Sequence, residues 1–146
     1  MAHVSAVDVS MEALTVAKRN AVQNEADVHF AKCDILREMP EGTYDIVVSN
    51  PPYVCEEERA NMQQNVLDYE PSLALFVPND DPLLFYREIA RKCLSGMLKP
   101  NGHLIFEINE RFGEETAEML RLMDFHNVDI VKDYCDKDRF VVAQKN

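Results

Sequence analysis

Short apolar blocks alternate along the chain with longer segments in which apolar residues recur every three or four positions. The blocks predict β-strands, and the longer segments predict helices. The predicted strands are Val4–Val7, Asp27–Ala31, Tyr44–Ser49, His103–Ile108, Val128–Val131 and Arg139–Ala143. The predicted helices run from a cap at Ser10 to about Asn24, from Pro82 to about Met97, and over Gly113–Met123. This alternation predicts an α/β domain with a largely parallel sheet and one antiparallel strand at the end.

The third predicted strand leads into an unusual segment. Ile46, Val47 and Val48 form a continuous β-branched run, which is typical of a strand buried on both faces. The segment S-N-P-P-Y-V follows at residues 49–54. Two prolines fix φ and remove two backbone N–H donors, so the chain can neither continue the sheet nor open an ordinary helix. We expect a rigid corner at the carboxyl end of this strand; the alternative is a tight surface turn.

The sequence also predicts two turns and one long loop. Pro40-Glu41-Gly42 and Pro100-Asn101-Gly102 are predicted turns. The segment from Tyr53 to about Asp81 is polar and irregular, and a loop of that length inside a compact domain is usually functional or mobile.

Composition narrows the class of protein. The 146 residues are enough for one domain, covering residues 1–146, and we see no linker or repeat. The net charge of −11 disfavours a nucleic-acid substrate, because phosphate backbones require clustered Lys and Arg. No apolar run reaches the length of a membrane span, so we expect a cytoplasmic protein. The four cysteines lack metal-ligand spacing, which predicts reduced thiols and no metal site.

Polar residues stand at the ends of three predicted strands. Asp8 ends the first strand, Asp34 follows the second, and Asn50-Pro51-Pro52-Tyr53 follows the third. Ligands of doubly wound sheets bind outside the carboxyl ends of the strands. The three ends together therefore predict one binding site.

These segments resemble the S-adenosylmethionine-dependent methyltransferases of Rossmann-like, class I fold. Within them the chain resembles the HemK/PrmC family, the protein-(glutamine-N5) methyltransferases that act on peptide-chain release factors. The matching segments are A-V-D-V-S at 6–10, A-K-R-N-A at 17–21, Y-D-I-V-V-S-N-P-P-Y-V at 44–54, V-L-D-Y-E-P-S-L-A-L at 66–75, F-Y-R-E-I at 85–89, F-E-I at 106–108 and K-D-Y-C-D-K-D-R-F-V at 132–141. Adenine and guanine amino-methyltransferases share N-P-P-Y, whereas Tyr69 to Leu75 favours the glutamine enzymes.

The resemblance implies S-adenosyl-L-methionine as cofactor and assigns three residues to it. Asp8 would accept both ribose hydroxyls, since a carboxylate can receive two O–H donors at once. The alternative role of Asp8 is that of a turn or capping residue. Asp34 would meet the adenine amino group and Ile35 would line the ring, or this segment simply turns a corner.

The resemblance also implies a catalytic role for the proline corner. The Asn50 side-chain carbonyl and the Pro51 backbone carbonyl would accept the two N–H groups of a glutamine amide, with Asn50 also next to the cofactor. Pro51 and Pro52 would keep these acceptors fixed by locking φ. Tyr53 would present a flat face to the planar amide and exclude water.

Two acidic residues have open assignments. Glu70 would contact the substrate side of the site by bracing the clamp, or it caps a turn. Glu107 is either a residue of the substrate pocket or a buried, hydrogen-bonded acid.

The implied partner is a release factor carrying a Gly-Gly-Gln loop, with no direct nucleic-acid contact and no membrane. Two alternatives stay open. One is an N6-adenine or N2-guanine methyltransferase acting on nucleic acid. The other is a non-catalytic remnant or interaction module.

The chain departs from the family in one respect. None of its four glycines, Gly42, Gly96, Gly102 and Gly113, forms the glycine-rich loop that meets the methionine portion of the cofactor. The family's first strand and its N-terminal helical domain have no counterpart either. We therefore expect a partial catalytic domain, truncated at the N-terminus, with weak or absent cofactor binding. Two strand edges would lack partners, which favours a dimer or a partner chain.

Overall fold

The computed structural model describes residues 2–55, 58, 62, 75–78 and 80–146. The chain divides into two compact units, Met1–Glu41 and Gly42–Asn146. In the first unit, strand β1 (Val4–Asp8) is joined by helix α1 (Met11–Gln23) to strand β2 (Val28–Lys32). β1 and β2 pair in parallel, with Asp8 opposite Lys32.

Helix α1 begins where the sequence predicts. Ser10 has an extended backbone, and its side chain accepts a hydrogen bond from the Ala13 N–H over 3.2 Å. This bond satisfies one of the N–H groups that the first turn of a helix leaves without a partner. The helix buries Leu14, which is 3% exposed.

The second unit contains a four-stranded sheet. Its strands and helices, in chain order, are β3 (Tyr44–Ser49), β4 (Val54–Cys55), β5 (Phe76–Val77), α2 (Leu84–Lys92), β6 (Leu98–Glu107), α3 (Gly113–Leu122), β7 (Phe125–Lys132) and β8 (Asp138–Lys145). The sheet order is β3-β6-β8-β7, and β4 and β5 form a separate parallel pair. β3 is parallel to β6, and β8 is antiparallel to both neighbours. The predicted α/β class with one antiparallel strand is confirmed.

The core of this unit lies between the sheet and its helices. Tyr86 on α2 packs edge-on against Phe106 on β6, with ring centroids 5.0 Å apart, which is a favourable aromatic geometry. Fully buried residues from β6, α3 and β8, together with Ile108 directly after β6, complete the core: Leu104, Phe106, Ile108, Ala117, Leu120, Val141 and Ala143.

The predicted burial of β3 on both faces is wrong. Ile46 is 57% exposed and Val48 is 70% exposed, whereas Val47 between them is partly buried. Alternate residues of a strand share a face, so one face of β3 is uncovered. Within the described residues β3 also pairs on one side, with β6, and stands at the end of its sheet.

Two predicted boundaries also differ. The second long helix ends at Lys92 rather than near Met97, because Cys93–Met97 forms a wider turn in which Gly96 has φ of 129°. A residue with positive φ cannot continue a right-handed helix.

Residues 100–102 lie within β6 instead of forming a turn before it. Tyr44 pairs with Leu98 and Ile46 with His103, so this stretch is a bulge.

Candidate active site

The proline corner follows β3 directly. Asn50 is exposed, Pro51 is buried, and Pro52 and Tyr53 are half-buried. In the described part of the chain, the Asn50 side chain makes no hydrogen bond. An exposed amide beside a buried proline is therefore available to a ligand, while its backbone is held by the ring next to it.

The Tyr53 side chain is fixed by an acid on the neighbouring strand. Its hydroxyl donates a hydrogen bond to Glu107 Oε1 over 2.8 Å. The Glu107 backbone carbonyl accepts a hydrogen bond from the Tyr86 hydroxyl over 3.2 Å. Because Tyr86 is 1% exposed, the end of β6 that carries Glu107 is anchored in the core. Of the two alternatives for Glu107, the structure shows a half-buried, hydrogen-bonded acid.

The Tyr53 backbone is held by a residue that the sequence analysis missed. Asn109 is 7% exposed, and its Nδ2 donates to the Tyr53 carbonyl over 3.0 Å and to Glu58 Oε2 over 2.9 Å. Asn109 Oδ1 accepts from the Arg111 N–H over 3.0 Å and so caps the short helix Glu110–Phe112. The available signal was an asparagine directly before an acidic, helix-forming segment.

The surroundings of the Tyr53 hydroxyl raise its pKa from 10.0 to about 12. Burial is the largest cause, followed by the hydrogen bond to Glu107 and the charge of Glu107, all of which favour the neutral phenol. The Arg139 guanidinium acts in the opposite direction. Burial also raises the pKa of Tyr86. Tyr53 is therefore a neutral hydrogen-bond donor at physiological pH and is unsuited to act as a general base.

Arg139 reaches this cluster from the start of β8, in the hairpin that β7 and β8 form. Its Nε donates to Asp133 Oδ2 over 3.1 Å. The pKa of Asp133 is lowered, first by the Cys135 backbone N–H, then by the Lys137 N–H and by Arg139. This ionised acid holds the guanidinium in place, so the hairpin contributes a positive charge near Tyr53 and Glu107.

Three of the four predicted cofactor residues, Asp8, Asp34 and Ile35, lie in the first unit, and Asn50 lies in the second. Asp8 is exposed at the end of β1, and its Oδ1 accepts from the Ser10 N–H over 2.8 Å. Its backbone carbonyl accepts from the Cys33 N–H over 3.0 Å. The turn role of Asp8 is thus observed. A carboxylate has about four lone-pair positions, so one N–H bond leaves room for hydroxyl donors.

Asp34 also takes part in a turn. Its Oδ1 accepts from the Leu36 N–H over 3.0 Å, and its own N–H donates to Glu38 Oε2 over 2.7 Å. Asp34 and Ile35 are half-buried and follow β2, so they lie beyond the carboxyl end of the strand paired with β1. An exposed carboxylate at Asp8, and a half-buried carboxylate beside an apolar side chain at Asp34 and Ile35, are groups that suit a ribose and an adenine ring.

Other predicted features lie outside this cluster. Glu70 falls outside the described residues. Within the described ranges, no group of three acidic, histidine or cysteine side chains could hold a metal ion. None of the described helices is long and apolar enough to cross a membrane. A groove of about 650 Å³ between α2 and α3 has no predicted site residue in its lining.

Comparison with known sequences gives consistent matches. Residues 1–71 match the family model of the methyltransferase small domain. A release factor glutamine methyltransferase of Bacteroides thetaiotaomicron is 45% identical over 146 residues, covering 99% of this chain and 52% of that protein. A protein of the same name from Flavobacterium psychrophilum is 47% identical over 141 residues, covering 96% of this chain and 49% of that protein. The chain spans about half the length of these curated relatives.

Comparison with solved structures supports the fold. A methyltransferase from Pyrococcus furiosus has a TM-score of 0.70 at 19% identity, covering 99% of this chain and 63% of that one. The ribosomal protein L11 methylase of Lactobacillus delbrueckii subsp. bulgaricus has a TM-score of 0.63 at 20% identity, covering 99% and 58%. The predicted class I methyltransferase fold and the resemblance to the glutamine methyltransferases are confirmed.

Proposed function

We propose that this chain, a homologue of the release factor glutamine methyltransferases, carries the catalytic corner of an enzyme that methylates the side-chain amide nitrogen of a glutamine in a protein. The observation that supports this best is the S-N-P-P-Y-V corner at the end of β3, with Asn50 exposed and Tyr53 held rigidly behind it. The substrate and cofactor follow from the relatives and are part of the proposal.

The chemical difficulty is the weak nucleophilicity of a carboxamide nitrogen, whose lone pair is delocalised into the carbonyl. Asn50 Oδ1 and the Pro51 backbone carbonyl would accept its two N–H groups and hold the nitrogen in one orientation. Both acceptors follow a strand. The Pro51 ring fixes its own φ, and Asn50 and Pro51 each precede a proline, which restricts their backbones to extended conformations, so the acceptors reorganise little when the amide arrives. Orientation of this kind is worth up to about 7–11 kcal/mol in favourable cases.

S-adenosyl-L-methionine, when bound, would supply an electrophilic methyl group on its sulfonium sulfur. Asp8 would accept the ribose hydroxyls, with Asp34 and Ile35 at the adenine and Asn50 beside the reacting groups. The glutamine nitrogen held by Asn50 and Pro51 would take up this methyl group, and the sulfur would keep the electron pair of the carbon–sulfur bond. The nitrogen would then lose one proton to water. This loss would require no side chain of shifted pKa, because a methylated, cationic amide is strongly acidic.

The partner we propose is a release factor that presents its Gly-Gly-Gln loop, with the cytoplasm as the site of action. Glu70 would lie on the substrate side of the pocket. Self-association through unpaired strand edges is also part of this proposal, with the side of β3 that has no partner among the described residues as one such edge, because unpaired edges readily pair with other chains.

The function is tested by methyl transfer from radiolabelled S-adenosylmethionine. The chain is assayed alone and as a chimera that supplies, from the Bacteroides relative, the part of that protein which this chain does not span. We expect the chimera to label a peptide containing Gly-Gly-Gln and to leave the Gly-Gly-Glu control unlabelled. Labelling of an oligonucleotide but not of the peptide would refute the proposal in favour of a nucleic-acid methyltransferase.

Calorimetry with S-adenosylhomocysteine separates an enzyme from a non-catalytic interaction module. We expect weak binding by the chain alone and micromolar binding by the chimera, with Asp8→Ala weakening the latter. A chimera that binds no cofactor at millimolar concentration would favour the interaction module.

A further inference from the structure

We propose that Glu107 and Asn109 are positioning residues that hold the side chain and the backbone of Tyr53. They thereby fix the aromatic surface against which the substrate amide lies. This inference rests on the proposed function and deepens it. The two residues contribute different kinds of contact, one to the side chain of Tyr53 and one to its backbone.

The first contact fixes the ring. The Tyr53 hydroxyl donates to Glu107 Oε1 over 2.8 Å, and a hydrogen bond to a carboxylate is shorter and stronger than one between neutral groups. Glu107 itself is placed by β6, which pairs with β8 at Phe140, and by the Tyr86 hydroxyl on its carbonyl. The tip of the Tyr53 ring is therefore tied to the core of the second unit.

The second contact fixes the backbone. Asn109 Nδ2 donates to the Tyr53 carbonyl over 3.0 Å, and the same nitrogen donates to Glu58 Oε2 over 2.9 Å. Glu58 is in turn paired with Arg111 Nη1 over 3.2 Å. One buried amide thus ties residue 53 and residue 58 to the same short helix.

Two anchors on one residue remove most of its freedom. With the hydroxyl bound, the Tyr53 ring cannot rotate towards solvent. With the carbonyl bound, its backbone cannot move away from Asn109. A site whose supporting residues are already fixed loses less free energy when the substrate binds. Tyr53 keeps its ring face for the amide, while its hydroxyl is committed to Glu107.

The ring contact is tested by ¹³Cζ-tyrosine NMR across alkaline pH, with the Tyr53 resonance assigned from Tyr53→Phe. Glu107→Gln keeps an oxygen that can accept the hydroxyl but removes the charge, so the Tyr53 midpoint should fall. It should stay above the ordinary tyrosine value of about 10, because burial is the larger cause. Glu110→Gln is the matched control on an exposed acid and should leave the midpoint unchanged. An unchanged midpoint in Glu107→Gln would overturn the assignment of Glu107.

The consequence for turnover is tested by a double-mutant cycle in the chimera. Glu107→Ala should lower kcat about 10- to 100-fold, as expected for a displaced positioning group, and Glu107→Gln should restore most of the rate. In a Tyr53→Phe background, Glu107→Ala should cost less than about twofold, since its partner hydroxyl is already gone. Equal losses in both backgrounds would show that Glu107 acts by another route.

The backbone contact is tested with Asn109→Asp, which keeps the acceptor that caps Glu110–Phe112 and loses the donor to both Tyr53 and Glu58. We expect a loss in kcat of at least about tenfold that persists in the Tyr53→Phe background, because the carbonyl contact does not depend on the hydroxyl. No loss would overturn the role of Asn109. A chimera that methylates no peptide at all refutes the proposed function instead, and the NMR titration then still decides whether Glu107 holds Tyr53.

Discussion

The polar side chains of the candidate site differ in how many hydrogen bonds they already make within the fold. The Asp8 and Asp34 carboxylates each accept a backbone N–H in a local turn. The Asn50 side chain, in the described part of the chain, has no such bond and is exposed. A polar group at a strand end that does nothing for the fold is the stronger candidate for direct contact with a substrate.

Removal of the Asn50 amide should therefore affect catalysis far more than stability. We expect Asn50→Ala to lower kcat/KM of the chimera on the order of 10²-fold, the size of effect found when one preorganised hydrogen-bonding group is removed. The free energy of unfolding should change by less than about 0.5 kcal/mol, as for other surface substitutions. Asn20→Ala, at an exposed position of α1, is the control for both measurements. A large loss of stability in Asn50→Ala would assign Asn50 to the fold.

Tyr53 should give the protein a pH-dependent stability. Its pKa is about 12 in the folded chain against an ordinary value of 10.0, so the folded state keeps the proton longer than the unfolded state. The stabilisation is complete below pH 10 and is lost as pH rises from about 10 to about 12. In urea titrations between about pH 8 and 11, the stability difference between wild type and Tyr53→Phe should be constant up to pH 10 and narrow above it. A difference that stays constant to pH 11 would contradict the raised pKa.

Among the helices and strands, the carboxyl end of α2 is held by a lysine contact that the sequence alone does not predict. Gly96 was a visible signal, since glycine with positive φ commonly ends a helix. Lys145 was not visible as a partner. Its ammonium donates to the carbonyls of Cys93, Leu94 and Leu98 over 3.0, 3.2 and 2.8 Å, from the far end of the chain.

Loss of this ammonium should destabilise the second unit. Lys145→Met keeps the aliphatic stem and removes the ammonium donor from the Leu94 and Leu98 carbonyls and from the Cys93 carbonyl, which still accepts from the Leu98 N–H. We expect a loss of about 1–3 kcal/mol in the free energy of unfolding. Lys137→Met removes an exposed lysine that pairs with Glu110 and should cost less than about 1 kcal/mol. Urea denaturation measures both. Equal losses would mean that the contact at the end of α2 contributes no more than a surface ion pair.

The bulge in β6 makes Gly102 necessary. A Cβ at this position would lie 2.9 Å from the Asp45 carbonyl oxygen and 2.7 Å from Leu98 Cδ1, so the backbone of β3 or β6 must move. We expect Gly102→Ala to cost about 1–3 kcal/mol, the usual effect of overpacking. Gly113→Ala should cost less, because its φ is −61° and its nearest neighbour, at 3.2 Å, is the end of the Ile108 side chain. Thermal unfolding of the two variants compares them directly.

Periodicity located all the longer strands and the three helices, since runs such as Tyr44–Ser49 and the Ser10 cap are determined by local sequence. Burial of β3 was predicted wrongly because exposure depends on which elements cover a strand, and no local pattern encodes that. The proline corner was visible as a motif, whereas Glu107 could be assigned only as one of two alternatives. Asn109 was missed, because its contacts join residues more than 50 positions apart.

For the whole molecule, the acidic net charge of −11 and the exposed apolar face of β3 have opposite effects on self-association. Like charge keeps chains apart, and an uncovered edge draws them together. The edge interaction is short-ranged and the repulsion is screened by salt, so we expect self-association to increase with ionic strength.

A charge on the exposed face of β3 should prevent this association. We expect Val48→Lys to shift the chain towards monomer in sedimentation velocity, because a lysine on an edge strand opposes pairing. Val22→Lys, on α1 at a residue that is 79% exposed, serves as the matched control and should have little effect. Identical sedimentation of both variants and the wild type would locate any dimer contact elsewhere.

The side-chain amide of Asn109 donates hydrogen bonds to two different parts of the chain, Tyr53 and Glu58. Any residue that replaces Asn109 must donate to the Tyr53 carbonyl and to the Glu58 carboxylate at once, which few side chains can do. Anyone redesigning the pocket to accept a different carboxamide should therefore leave position 109 untouched. Position 50, whose side chain is not engaged elsewhere in the described residues, is the better place to begin.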